Sequence, residues 1–214
     1  MIGTSNGKSG LGEFALIATL AFAFPLTGVV RHSEGTEFTN GGLLGLVVFE
    51  LLALAATLVI LRARGWSLAL APPMTFRGTA TGVALWIAAY ALYVAMYSLL
   101  AIVPGWDLTA ASDVTVHVSV VPLLLVVFVN PVFEEVLVVG YVLTALERFG
   151  PRIAIAMSVL IRLSYHLYQG PIALSSILPM GVLFASFFWW RRRLWPLVVA
   201  HGLADLIALL AHNG

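Results

Sequence analysis

The stretch "NPVFEEVLVVGY", residues 130–141, decides how the rest of the chain is read. Glu134 and Glu135 stand side by side in a run that is otherwise almost wholly apolar and holds no positive charge. Working outward, the setting is equally apolar. Of 214 residues, 61% are hydrophobic and 10% are charged, against about half and about a quarter in a water-soluble domain. One aqueous core of this size cannot hide that surplus, so the class is a polytopic membrane protein, an all-α helical bundle. A net charge of +1 makes nucleic acid an unsuitable partner, and with no cysteine there is no disulfide, thiol catalysis or thiolate metal site. Glu13 and the lack of a small-residue cleavage site argue for a retained first span rather than a removable signal.

Apolar runs long enough to cross a bilayer fall at 12–30, 42–61, 78–103, 117–147, 151–167, 171–190 and 195–212, given that about 20 residues are needed for each. Gly, Pro and charge mark the joins. The run 117–147 is long and carries Asn130-Pro131 in its middle, so it reads either as one kinked helix or as two short spans. Charge arbitrates. With seven spans, Lys8, Arg62, Arg64, Arg77, Arg148, Arg152, Arg191, Arg192 and Arg193 share one side, Arg31 alone is opposite, and Arg162 stays within a span. Splitting 117–147 divides the basic residues four against six. The positive-inside rule selects seven helices, with the N-terminus cytoplasmic and the C-terminus outside. Pro131 lacks an N–H, so a kink is expected in the fourth helix. Residues 104–116 are expected to form a short interfacial helix, and 1–214 a single transmembrane domain.

Away from the span ends, seven ionisable residues fall inside spans: Glu50, Glu134, Glu135, Arg162, His166, His201 and Asp205. Each charge costs roughly 2.5–3.5 kcal/mol at mid-helix, so each needs a partner, water or a function. His201 and Asp205 are four apart and share a helix face, as do Arg162 and His166. Glu134 and Glu135 lie about 100° apart around their helix and address different neighbours. Arg162 is a partner for Asp205 or Glu135, which leaves Glu134 to face the histidines. A carboxylate in an apolar pocket serves as general base or acid, and an imidazole donates to an oxyanion. Two His and a carboxylate also bind zinc, here from three helices because no HExxH spacing occurs. These residues alone leave an intramembrane hydrolase and a proton relay both open. Glu50 reads as interfacial or as a structural pair. His32 and His117 read as loop residues, "RRR" at 191–193 as a topology anchor, and "FFWW" at 187–190 as an interface belt.

Three motifs occur in order: "EEVLVV" at 134–139, "RLSYH" at 162–166 and "HGLAD" at 201–205. Over 117–212 the chain resembles the CPBP family, the CAAX proteases and bacteriocin-processing enzymes also called Abi. Members carry EExxxR, FxxxH and HxxxN or HxxxD on successive helices, and residues 1–103 correspond to their variable N-terminal helices. Two positions depart from the pattern. Val139 stands where the family has Arg, and Arg162 where it has Phe. Together they suggest a swap, in which Arg162 reaches Glu135 from the neighbouring helix, within about 6 Å. The resemblance implies a glutamate-dependent intramembrane endopeptidase, with no cofactor (zinc being the alternative) and a peptide or membrane-associated protein as substrate. By that likeness Glu134 and His166 activate water, His201 and Asp205 stabilise the oxyanion, and Glu135 and Arg162 support the site. Since ionised Asp cannot donate, Asp205 is either protonated or positions His201. The runner-up is a non-catalytic binding or immunity protein of the same fold; a proton-coupled transporter fits less well, for lack of paired repeats. The style of the sequence points to a bacterial inner membrane. One mismatch stands: counted from the cytoplasmic ends, Glu134 and His166 lie about 20 Å deep but His201 only about 9 Å.

Overall fold

The computed structural model describes residues 12, 14–19, 21, 36–65, 74–105, 108 and 114–212. The chain runs from a strand β1 (Thr36–Thr39) into α1 (Asn40–Ala63) and α2 (Phe76–Ala101). A strand β2 (Val114–His117) then leads into α3 (Val120–Glu134). There the helix widens into a π-helix, Glu135–Tyr141, and closes with one α-turn, α4 (Val142–Ala145). Helices α5 (Pro151–Tyr165), α6 (Ile172–Arg191) and α7 (Trp195–His212) complete it. Among the described residues, five helical segments are long and apolar enough to cross a membrane: α1, α2, the α3-to-α4 unit, α6 and α7. The protein is a mostly helical integral membrane protein.

Local sequence explains the ends. Thr39 caps α1, its Oγ1 accepting from the Gly42 N–H at 3.1 Å, and Thr75 caps α2 in the same way through Gly78. Pro151 opens α5, where its missing N–H costs nothing. Gly150 precedes it at φ +82°, a conformation that favours glycine. Arg192 ends α6 in the left-handed region at φ 53°, its N–H donating to the Phe188 carbonyl at 2.8 Å. Asn40 Oδ1 accepts from the Ser119 N–H at 2.7 Å, tying the start of α1 to the start of α3.

Span boundaries agree with the expected ones to within about three residues from 42–61 onward. Three readings change. The fifth span, expected at 151–167, is a 15-residue helix ending at Tyr165, about 22 Å long and short of the ~30 Å hydrocarbon layer. Of the interfacial helix expected over 104–116, residues 106–107 and 109–113 lie outside the described residues, 104, 105 and 108 are not helical, and the end is strand, Val114–His117, which pairs in parallel with β1, Thr36 opposite Val114 and Thr39 opposite His117. His117 is thereby a strand residue, and the fold is helical with one small parallel pair. The first expected span, 12–30, lies mostly outside the described residues. Within it 14–19 are helical, Ile17 and Ala21 are buried, and Phe14 stacks on Tyr141. His32 lies outside the described residues.

The π-helix forms the centre. All seven of its residues are buried, from Glu135 to Tyr141. Ser158 on α5 donates to the Val138 carbonyl at 2.7 Å, supplementing the helix's own hydrogen bonds. The α-helix continues through Pro131, so the departure from α geometry begins four residues beyond the proline. Small residues set the close approaches. A Cβ on Gly82 would sit 2.6 Å from Val199 Cβ and 2.7 Å from the Pro196 carbonyl, which places α2 hard against α7. Gly78 and Gly82 are spaced as small-xxx-small, the pattern that brings membrane helices together. Likewise, a Cβ on Gly202 would lie 3.2 Å from the Val127 carbonyl, so α7 also meets α3 closely.

Candidate active site

Four helical elements bring the polar residues together. Glu134 ends α3, Glu135 begins the π-helix, Arg162 lies in the last turn of α5, and His201 lies on α7. All four are buried. Arg162 Nη2 donates to Glu135 Oε1 at 2.7 Å, well inside the separation the swap of Val139 and Arg162 requires. Val139 is fully buried in the apolar core. The positive charge missing from 130–141 therefore comes from α5.

Glu135 Oε1 also faces His201 Nδ1 at 2.8 Å. One carboxylate oxygen thus ties α5 and α7 to the π-helix. Breaking such a buried pair strands a charge where water cannot repay it. Arg162 Nη1 lies 3.6 Å from Glu134 Oε2, and the Arg162 guanidinium sits 6.0 Å from the centre of the Phe184 ring. The side of His201 away from Glu135 faces Asp205, with Nε2 3.4 Å from Oδ1.

Glu134 is held by two neutral donors that sequence reasoning missed. The Tyr165 hydroxyl donates to Oε2 at 2.6 Å, and Asn130 Nδ2 donates to Oε1 at 3.3 Å. Spacing offered a signal for Asn130, four residues before Glu134 on the same helix. Asn130 Nδ2 also donates to Glu50 Oε1 at 2.6 Å. Glu50 is 1% exposed, so it is a buried partner of this cluster rather than an interfacial residue.

His166 sits just past the end of α5, at φ −101° and ψ 4°, and not within a helical turn. Its Nδ1 donates to the Arg162 carbonyl at 2.8 Å. In the neutral ring that leaves a lone pair on Nε2. His166 packs on Tyr165, ring centres 4.6 Å apart, and both His166 and His201 lie within electrostatic reach of Glu134. His166 and Asp205 are the partly exposed members, whereas Glu134 and Glu135 are enclosed.

The depth mismatch has a geometric answer. A Cβ on Gly140 would lie 3.2 Å from Leu194 Cδ1, so the join before α7 sits at the level of Gly140. Helix α7 starts well inside the end of α4, and seven residues, about 10 Å, carry it up to His201 beside Glu135. Arg192 spans the remaining distance by pairing with Glu147. Among the described residues no group of three or more His, Asp or Glu is arranged as the donors of a metal ion.

Fold and site together define a polytopic helical membrane protein with an enclosed cluster of carboxylates, imidazoles and a guanidinium. Residues 116–207 match the family model described as "Type II CAAX prenyl endopeptidase Rce1-like". That bears out the resemblance carried by the three motifs. The matched segment is under half of the chain and contains Glu134, Glu135, Arg162, His166, His201 and Asp205. No curated protein and no solved structure matches the chain.

Proposed function

We propose that the protein is an intramembrane endopeptidase of the glutamic type, like the CAAX proteases, in which Glu134 activates water. The observation that carries this reading is the position of Glu134. It is enclosed, oriented at both oxygens by Tyr165 and Asn130, and within electrostatic reach of two imidazoles. As the water oxygen bonds to the scissile carbonyl carbon, Glu134 takes one of its protons. His166 orients that water through Nε2, since Nδ1 is committed to the Arg162 carbonyl. The carbonyl oxygen becomes an oxyanion, to which His201, as an imidazolium whose Nδ1–H stays on Glu135, donates from Nε2. Asp205, 3.4 Å from that nitrogen, sets the ring. The proton on Glu134 then passes to the amide nitrogen as the C–N bond breaks. Glu135 and Arg162 take no part in bond making; they hold α5 and α7 to the π-helix.

In this reading the whole chain is one domain with seven crossings, the short fifth met by local thinning of the bilayer, and the fourth bends where its helix passes from Pro131 into the π-helix. The first residues face the cytoplasm, and the substrate is a peptide or a membrane-associated protein in a bacterial inner membrane. Partly exposed His166 and Asp205 mark the side from which water and substrate enter. The test uses purified protein in detergent with an internally quenched peptide. Glu134→Gln is expected to lower cleavage by at least about 100-fold, while a chelator leaves it unchanged. Wild-type turnover by Glu134→Gln would exclude Glu134 as the base, and loss of activity with the chelator would favour zinc.

A further inference from the structure

Glu50 lies outside the family-matched segment, on α1. Its neighbours on the buried stripe are Leu43, Val47, Ala53, Thr57 and Leu61. A carboxyl group there is costly and adds nothing to packing. What it does touch is Asn130, and through Asn130 the site. A side-chain amide has two N–H hydrogens and one acceptor oxygen. Asn130 Nδ2 points one hydrogen at Glu50 Oε1, 2.6 Å away, and the other at Glu134 Oε1, 3.3 Å away. Asn130 thus presents its NH2 end to a carboxyl oxygen on each side, and the contact with Glu50 helps hold that end toward Glu134. Were the amide turned over, its oxygen would confront Glu134 and one of the two donors that orient that carboxylate would be lost. Glu134, His201 and Asp205 all lie within electrostatic range of Glu50.

We propose that Glu50 is a positioning residue for Glu134, acting through the Asn130 amide, so that α1 supplies a fifth helical element to the site. The proposal rests on Glu134 being the base. The experiment uses the full chain in detergent, with Glu50→Leu, Asn130→Leu, the double variant and Glu50→Gln. Two readouts are taken: kcat and KM on a quenched peptide, and the carboxyl infrared band that disappears in Glu134→Gln. Thermal melting confirms that each variant folds. Glu50→Leu is expected to lower kcat about tenfold, the equivalent of ~1.4 kcal/mol, with KM little changed and the Glu134 band shifted. Asn130→Leu does the same, and the double variant is no worse than Asn130→Leu alone. Glu50→Gln keeps an acceptor for Asn130 and recovers most of the loss. Losses that multiply in the double variant overturn the proposal. So does a cleaving wild type whose kcat and Glu134 band both ignore Glu50→Leu. If no variant, wild type included, cleaves peptide but the band still moves with Glu50→Leu, the Glu50–Asn130–Glu134 coupling stands and the endopeptidase reading falls.

Discussion

Helix α2 and the α3-to-α4 unit are both 26-residue apolar segments, yet they occupy opposite environments. Only 11% of the best apolar window of α2 is buried inside the protein, against 67% for α3-to-α4. The buried residues of α2 are Gly78, Gly82 and Ala89; those of the other unit include Glu134, Glu135 and the whole π-helix. In lipid, apolarity does not separate inside from outside, because tails and side chains are equally greasy. The difference lies in the minority residues. Small ones mark where a peripheral helix docks, and ionisable ones mark the interior where partners exist.

The comparison breaks most sharply at the charge that α5 supplies to the interior. Arg162→Leu leaves Glu135 buried without its guanidinium partner, with His201 still at 2.8 Å, and is expected to cost about 3–5 kcal/mol. Unfolding of the variant in detergent measures this. Adding Glu135→Gln removes the stranded charge and is expected to restore most of the loss. If Arg162→Leu melts with the wild type, the ion pair does not hold the interior together.

Much of this contrast was readable beforehand. The runs from 42 onward locate their helices because an apolar stretch in a bilayer has few alternatives to helix. The Arg162–Glu135 pair was legible from two departures that make sense only together, Val139 and Arg162. Strand β2 was missed, although Val114, Thr115 and Val116 are the β-branched residues that favour strand. Tyr165 was passed over because an aromatic residue in a span looks like packing. The pairing of Glu50 with Asn130 had no local trace, since 80 residues separate them. The π-helix was hidden as well, because its packing depends on α5 and α7. Its neighbourhood showed only as an unexplained depth for His201, which the deep start of α7 resolves.

Peripheral docking gives the next test. Gly82→Val places a side chain within 2.6–2.7 Å of Val199 Cβ and the Pro196 carbonyl, so α2 must move away from α7. Overpacking of this kind costs about 1–3 kcal/mol, again read from unfolding in detergent. A neutral outcome would mean that α2 docks elsewhere. On the opposite face of the same helix Ile87 is 56% exposed. Truncating it to Ala removes contacts that lipid or detergent replaces, and no protein cavity opens. The change is expected to stay within about 0.5 kcal/mol, although deleting the same atoms from an aqueous core costs about 2–5 kcal/mol. A core-sized loss from Ile87→Ala would show that this face is covered by protein, and the division between a lipid-facing α2 and an enclosed α3-to-α4 unit would have to be redrawn.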